Sequence, residues 1–150
     1  MLTLCLAPLL MFGYAIPIST SWHHSDLTPS ALVEAQTCTT GPGAYAKATM
    51  TGAYMAGVQY GFGKEYKGFE FSVKPQFGLS YVDHNVKTLP AREQYHIGAE
   101  INVCYDRYCS GISYSHLSNG NAIGLCWSGA DCRPNFGEDM IALTAGVRFF

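Results

Sequence analysis

The sequence predicts an all-β fold, an antiparallel transmembrane β-barrel, and three observations carry that prediction. Charged residues make up only 13% of the 150 residues, whereas Tyr (10), Phe (8) and Gly (16) are abundant. From Thr51 onward the chain reads as consecutive alternating segments separated by short turns. In the last of these, Ile141, Leu143, Ala145, Val147 and Phe149 fall on one face, and Met140, Ala142, Thr144, Gly146 and Arg148 on the other. A bulky apolar face opposite a smaller face that includes a charge is what a strand between lipid and a crowded polar interior requires. A chain of this length can form one domain with a sizeable core. It carries no run of Lys or Arg to make a nucleic-acid face, and a formal net charge of -2 selects no partner.

Residues 1–16, MLTLCLAPLLMFGYAI, are apolar but too short for an ordinary spanning helix. They read as a secretory signal core with cleavage after Ala15, or as a first barrel strand; no Lys or Arg provides the positive start of a signal. Residues 17–50 read as an irregular N-terminal region, because 19–43 are rich in Ser, Thr, Pro and Gly without a clear period. The region 51–150 is the barrel proper. Its strands are expected at about 51–63, 69–82, 94–105, 108–118 and 138–150, with a turn near Lys64–Gly68 and a polar loop at 83–93. A short turn is expected at Asp106-Arg107 and a longer loop at 119–137. Interior Pro75 calls for an edge position or a bulge, since proline has no N–H to give a ladder. These strands reach the roughly 9–11 residues that spanning requires. Five strands do not close a bacterial barrel, which needs about eight. Either the first 50 residues supply three more, or the chain is incomplete. The final Phe149-Phe150 resembles the terminal aromatic signature of bacterial outer-membrane barrels.

Six cysteines fit an oxidising compartment. Cys104 and Cys109 flank Tyr-Asp-Arg-Tyr, so a turn at Asp106-Arg107 sets them opposite one another across a hairpin. Cys126 and Cys132 enclose Trp-Ser-Gly-Ala-Asp and can staple a loop. Either pair can equally be thiols. The spacings lack a convincing four-ligand zinc set.

The chemistry is concentrated in Tyr114-Ser-His116-Leu-Ser118-Asn119-Gly120 and in Glu138-Asp139. Residues two apart on a strand share a face, so His116 and Ser118 can present a hydroxyl nucleophile and its base together. Serine is a poor nucleophile until a base takes its proton, and an acid often orients that base. Asp139 is in phase with Ile141 and Leu143, and His116 and Ser118 are in phase with Ile112 and Tyr114. If both apolar sets face outward, all three polar residues emerge on the lipid side near one rim and Glu138 turns inward. The bland reading is that Tyr and His are ordinary belt residues at a membrane interface, and that His-x-Ser arises by accident. A non-enzymatic structural barrel and a soluble secreted β-sandwich stapled by disulfides are therefore the alternatives.

The run 114–120, followed by Pro134-Asn135-Phe-Gly137-Glu138-Asp139, resembles the motif region of the outer-membrane lipid A 3-O-deacylases, the PagL family. The resemblance extends over 51–150 and is strongest in 104–150. It implies an eight-stranded barrel in the bacterial outer membrane with a Ser–His–acid site on its outer wall. The implied activity is hydrolysis of the ester-linked 3-position acyl chain of lipid A, with no metal or other cofactor. In this chain the resemblance implies Ser118 as nucleophile, His116 as base, and Asn119 or Asn135, beside Gly120, as groups that hold the oxyanion or the substrate. The implied partners are the lipid A of lipopolysaccharide and the outer membrane, with a homodimer as a further assembly and no nucleic acid. Two departures stand out. The family acid is usually Glu two residues after the motif glycine, where this chain has Asp139, while Glu138 is one residue after Gly137. The loop from Asn119 to Pro134 is also longer than typical and contains Cys126, Trp127 and Cys132.

Overall fold

The computed structural model describes residues 8–18, 25–87, 89, 91–119 and 137–149. They form eight strands: β1 (Leu9–Ile18), β2 (Ser30–Gln36), β3 (Gly41–Thr49), β4 (Ala53–Tyr66), β5 (Phe69–Val82), β6 (Glu93–Tyr105), β7 (Tyr108–Ser118) and β8 (Glu138–Arg148). Each pairs antiparallel with the next, and β1 pairs with β8, from Leu9↔Arg148 to Ile18↔Asp139, so the sheet is a closed barrel. Closure excludes the β-sandwich alternative, because the described strands form one continuous closed sheet. It also removes the open edges that five strands would have left.

The region 17–50, expected to be irregular, instead contributes β2 and β3, and Leu9–Ile16 of the opening run lie in β1. The physical reason is visible in the faces. In β2, Ser30, Leu32, Glu34 and Gln36 point inward, and Ala31, Val33 and Ala35 outward. In β3, Tyr45, Lys47 and Thr49 point inward beneath outward Pro42, Ala44 and Ala46. Small outward residues and polar inward ones give weak contrast in hydropathy. In β1 both faces are apolar, so alternation has nothing to register.

Pro75 needs neither an edge nor a bulge. It sits in the middle of β5 opposite Ala99, and the β4–β5 ladder lapses between Gln59↔Gln76 and Phe62↔Val73, then resumes in the same register. The missing N–H costs a local interruption, and the closed sheet holds register on both sides of it.

Short turns define one rim. Lys67-Gly68 joins β4 to β5 with both residues at positive φ (51° and 83°), the two-residue hairpin turn whose twist matches that of the strands. Asp106, at φ 52°, begins the β6–β7 turn, a conformation aspartate tolerates better than most residues. Directly above it Cys104 pairs with Cys109, and the two form a disulfide. Cys126 and Cys132 lie outside the described residues. At the opposite rim, which we call the long-loop rim, lie the strand ends separated by the longer stretches of sequence (18 to 30, 82 to 93 and 118 to 138) and the tight turn at 50–52.

Among the described strand residues, the outward wall between the rims is apolar. Phe12, Tyr14, Ile16, Val33, Val58, Phe71, Val73, Phe77, Leu79, Ile97, Ile101, Ile112 and Leu143 are all exposed. Outward or partly exposed charges are confined to strand ends: Lys64, Glu65, Glu70, Glu93, Asp139 and Arg148. The lumen is the reverse. Glu34 pairs with Lys47 at 3.6 Å and Glu100 with Lys74 at 3.5 Å, all four buried. Gln36 Nε2 donates to Glu34 Oε1 (2.8 Å) and Glu100 Oε2 (2.6 Å), and Lys74 Nζ donates to Gln36 Oε1. Gln59 and Gln76 extend the network through a 3.0 Å bond. Buried charge is tolerated only when so paired. Nearer the long-loop rim the lumen is filled by Leu27, Tyr45, Met55, Val82, Leu117 and Met140.

Candidate active site on the outer wall

The β7–β8 register sets His116 directly opposite Asp139 and Leu117 opposite Glu138. Directly opposed residues of an antiparallel pair have Cβ atoms about 4.5–5.5 Å apart on one face. Accordingly, His116 Nδ1 lies 2.8 Å from Asp139 Oδ1. The side chains are 28% and 13% exposed, so the contact is shielded on one side and open on the other. Nδ1 facing the carboxylate leaves Nε2 as the nitrogen able to accept a proton.

Ser118 is two residues further along β7 in the same outward phase, and is half-buried. Continuing the register brings Gly137 opposite it. Gly137 is at φ +73°, and a Cβ built there would lie 2.6 Å from His116 Cε1 and 3.1 Å from Nε2. Only glycine leaves that edge of the imidazole uncovered. On the other side, β6 sets Tyr95 opposite Ser118 and Ile97 opposite His116.

Glu138 points the other way. It is fully buried, accepts a hydrogen bond from Ser25 Oγ at Oε2 and takes the Asp26 backbone N–H at 3.1 Å on Oε1. Its carboxylate therefore ties the β1–β2 connection to the start of β8 and is not beside the imidazole. Asn119 is buried and out of phase with Ser118, so the structure does not bring it to the outer face with His116. Gly120 and Asn135 lie outside the described residues.

One contact escaped the sequence reading. Tyr114 Oη donates to Asp139 Oδ1 at 2.6 Å, the same oxygen that faces His116. Tyr114 pairs with Ile141, which makes Asp139 its diagonal neighbour, and an aromatic side chain spans the roughly 7–8 Å diagonal. The signal was available once His116 and Asp139 were set opposite one another.

From this cluster toward the short-turn rim, the same wall carries a groove of about 420 Å³ between Ile101, Val103, Ser110, Gly111, Ile112 and Leu143. A larger one of about 550 Å³, lined by Val33, Ala46, Tyr54, Ala56, Leu79 and Tyr81, lies across β2–β5. That is the opposite side of the barrel from β7–β8, so the larger groove is not the one beside His116 and Asp139.

No protein-family model and no curated protein matches this chain. Among solved structures, it is similar to the crystal structure of the outer membrane enzyme PagL, with 12% sequence identity over 94% of this chain and 99% of that one, at a TM-score of 0.55. The chain thus shares the architecture of an outer-membrane barrel enzyme: eight antiparallel strands closed on themselves.

Proposed function

We propose that this protein is a carboxylic ester hydrolase of the bacterial outer membrane that removes the 3-O-linked acyl chain of lipid A. The observation that carries this reading is the His116–Asp139 contact at 2.8 Å on the outer wall, with Ser118 on the same face two residues away. Its position at the long-loop rim adds support, because outer-membrane barrels carry their longer loops on the extracellular side, where lipopolysaccharide lies. The apolar outer wall and charged lumen favour a lipid setting. The PagL likeness supports the fold part of the reading only.

In the mechanism, Ser118 Oγ attacks the ester carbonyl while His116 Nε2 takes its proton. Asp139 holds the Nδ1–H tautomer and stabilises the imidazolium that forms. The tetrahedral intermediate expels the sugar alkoxide, which recovers the proton from His116. Water, deprotonated by His116, then cleaves the acyl-enzyme and releases a fatty acid. A reacting centre on the lipid wall spares the enzyme from drawing an acyl chain into water, at about 0.8 kcal/mol per CH₂.

The test is incubation of refolded protein with purified lipid A in detergent, followed by mass spectrometry. Loss of one hydroxyacyl chain is expected. Ser118→Ala and His116→Ala should each lower the rate by at least about 10³-fold, and equally, because the pair acts as a unit. Folded protein that leaves lipid A intact favours the structural-barrel alternative.

A further inference from the structure

We infer that Tyr114 is a positioning residue that locks the Asp139 carboxylate onto His116, an inference that rests on the hydrolase reading above. A carboxylate on an exposed strand end can rotate about χ1 and χ2, and one hydrogen bond from the imidazole does not fix it. Tyr114 Oη supplies a second at 2.6 Å to the same Oδ1 that stands 2.8 Å from His116 Nδ1. Both donors come from β7, two residues apart in one phase, and the acceptor comes from β8. Two donors from one strand thus converge on a single carboxylate oxygen of the next. Hydrogen bonds to a charged acceptor are the stronger kind, and more so away from bulk water.

The location adds to the argument. Among the described residues of β7, the outward series runs Tyr108, Ser110, Ile112, Tyr114, His116, Ser118. Tyr114 therefore stands between the apolar groove at Ile112 and Leu143 and the polar cluster above it. The residue is 41% exposed on the wall, and its hydroxyl is taken up by Asp139, two residues further along β8 toward the long-loop rim than its cross-strand partner Ile141.

Tyr114→Phe keeps the ring and removes only the hydroxyl, so packing and membrane contact are preserved. In the refolded full chain, kcat on lipid A should fall about tenfold with KM within about twofold, since the hydroxyl acts on the base and not on the substrate. In an Asp139→Ala background the same substitution should cause no further loss, because the carboxylate through which it acts is gone. Heat-modifiable electrophoretic mobility reports folding, and Tyr114→Met offers a second apolar replacement. NMR of the micelle-bound protein gives a readout independent of turnover: the His116 Nδ1 proton should exchange faster with water in Tyr114→Phe than in the parent. A kcat within twofold of the parent, a loss that persists in full in the Asp139→Ala background, or an unchanged Nδ1 proton would each overturn the inference. If the parent leaves lipid A intact, the hydrolase reading fails, and proton exchange still decides whether Tyr114 holds the Asp139–His116 pair.

Discussion

At the residue scale, two adjacent carboxylates are separated by strand phase alone. Asp139 faces outward to His116, and Glu138 faces inward to Ser25 and Asp26. Substitution should therefore divide their effects. Asp139→Asn is expected to lower kcat by about 10²–10⁴-fold, since an amide favours the wrong imidazole tautomer. Glu138→Gln should change kcat by less than tenfold and instead lower resistance to urea, because it weakens a buried hydrogen-bonded tie. Kinetics and urea titration of both variants check this. A larger kcat loss for Glu138→Gln would reverse the assignment. That Asp139 and not Glu138 shares the outward phase of the apolar residues after it was legible from period-2 counting along 138–149; that it stands opposite His116 came from the β7–β8 register. The Tyr114 contact was not legible, because a diagonal neighbour can be named only when the cross-strand register is known.

At the element scale, β6 and β7 are joined by two residues and by a disulfide one pair above the turn. The bond closes a loop of only a few residues, so it removes little entropy from the unfolded chain. Replacing Cys104 and Cys109 together by Ser is expected to lower stability by about 2 kcal/mol, seen as a lower urea midpoint in phospholipid vesicles. The barrel should still close, because the hairpin register is also maintained by ten further residue pairs from Tyr95↔Ser118 to Tyr105↔Tyr108. The strands from residue 51 onward were legible to within a few residues because large apolar side chains alternate there. By contrast, β2 and β3 escaped notice, since Ala31, Ala35, Ala44 and Ala46 make up most of the outward face and Glu34, Lys47 and Thr49 stand on the inward one. A wall of alanines reads like a linker when hydropathy is averaged.

For the whole molecule, the arrangement is an inside-out protein: ion pairs in the lumen and aromatic and aliphatic side chains on the outside. Val58 illustrates the consequence. It is 64% exposed in the middle of β4, opposite Phe77. On a water-facing surface, Val58→Arg would be nearly neutral. In a bilayer it should cost about 2–4 kcal/mol at the midplane, measured by urea unfolding in vesicles. A loss below about 0.5 kcal/mol would show that this wall does not meet lipid.

Alternation by itself determined which faces the later strands present, and with that the outward phase shared by His116, Ser118 and Asp139, because the side-chain period of a strand is set by backbone geometry. The local turn at Asp106-Arg107 likewise set Cys104 opposite Cys109, though the bond between them came from the structure. Closure was decided only by tertiary structure. Whether three weak segments become strands depends on edges elsewhere: β1 has to satisfy the N–H and C=O groups of β8, and β2 and β3 those between β1 and β4. Those demands are cooperative and distant in sequence, and no window along the chain contains them.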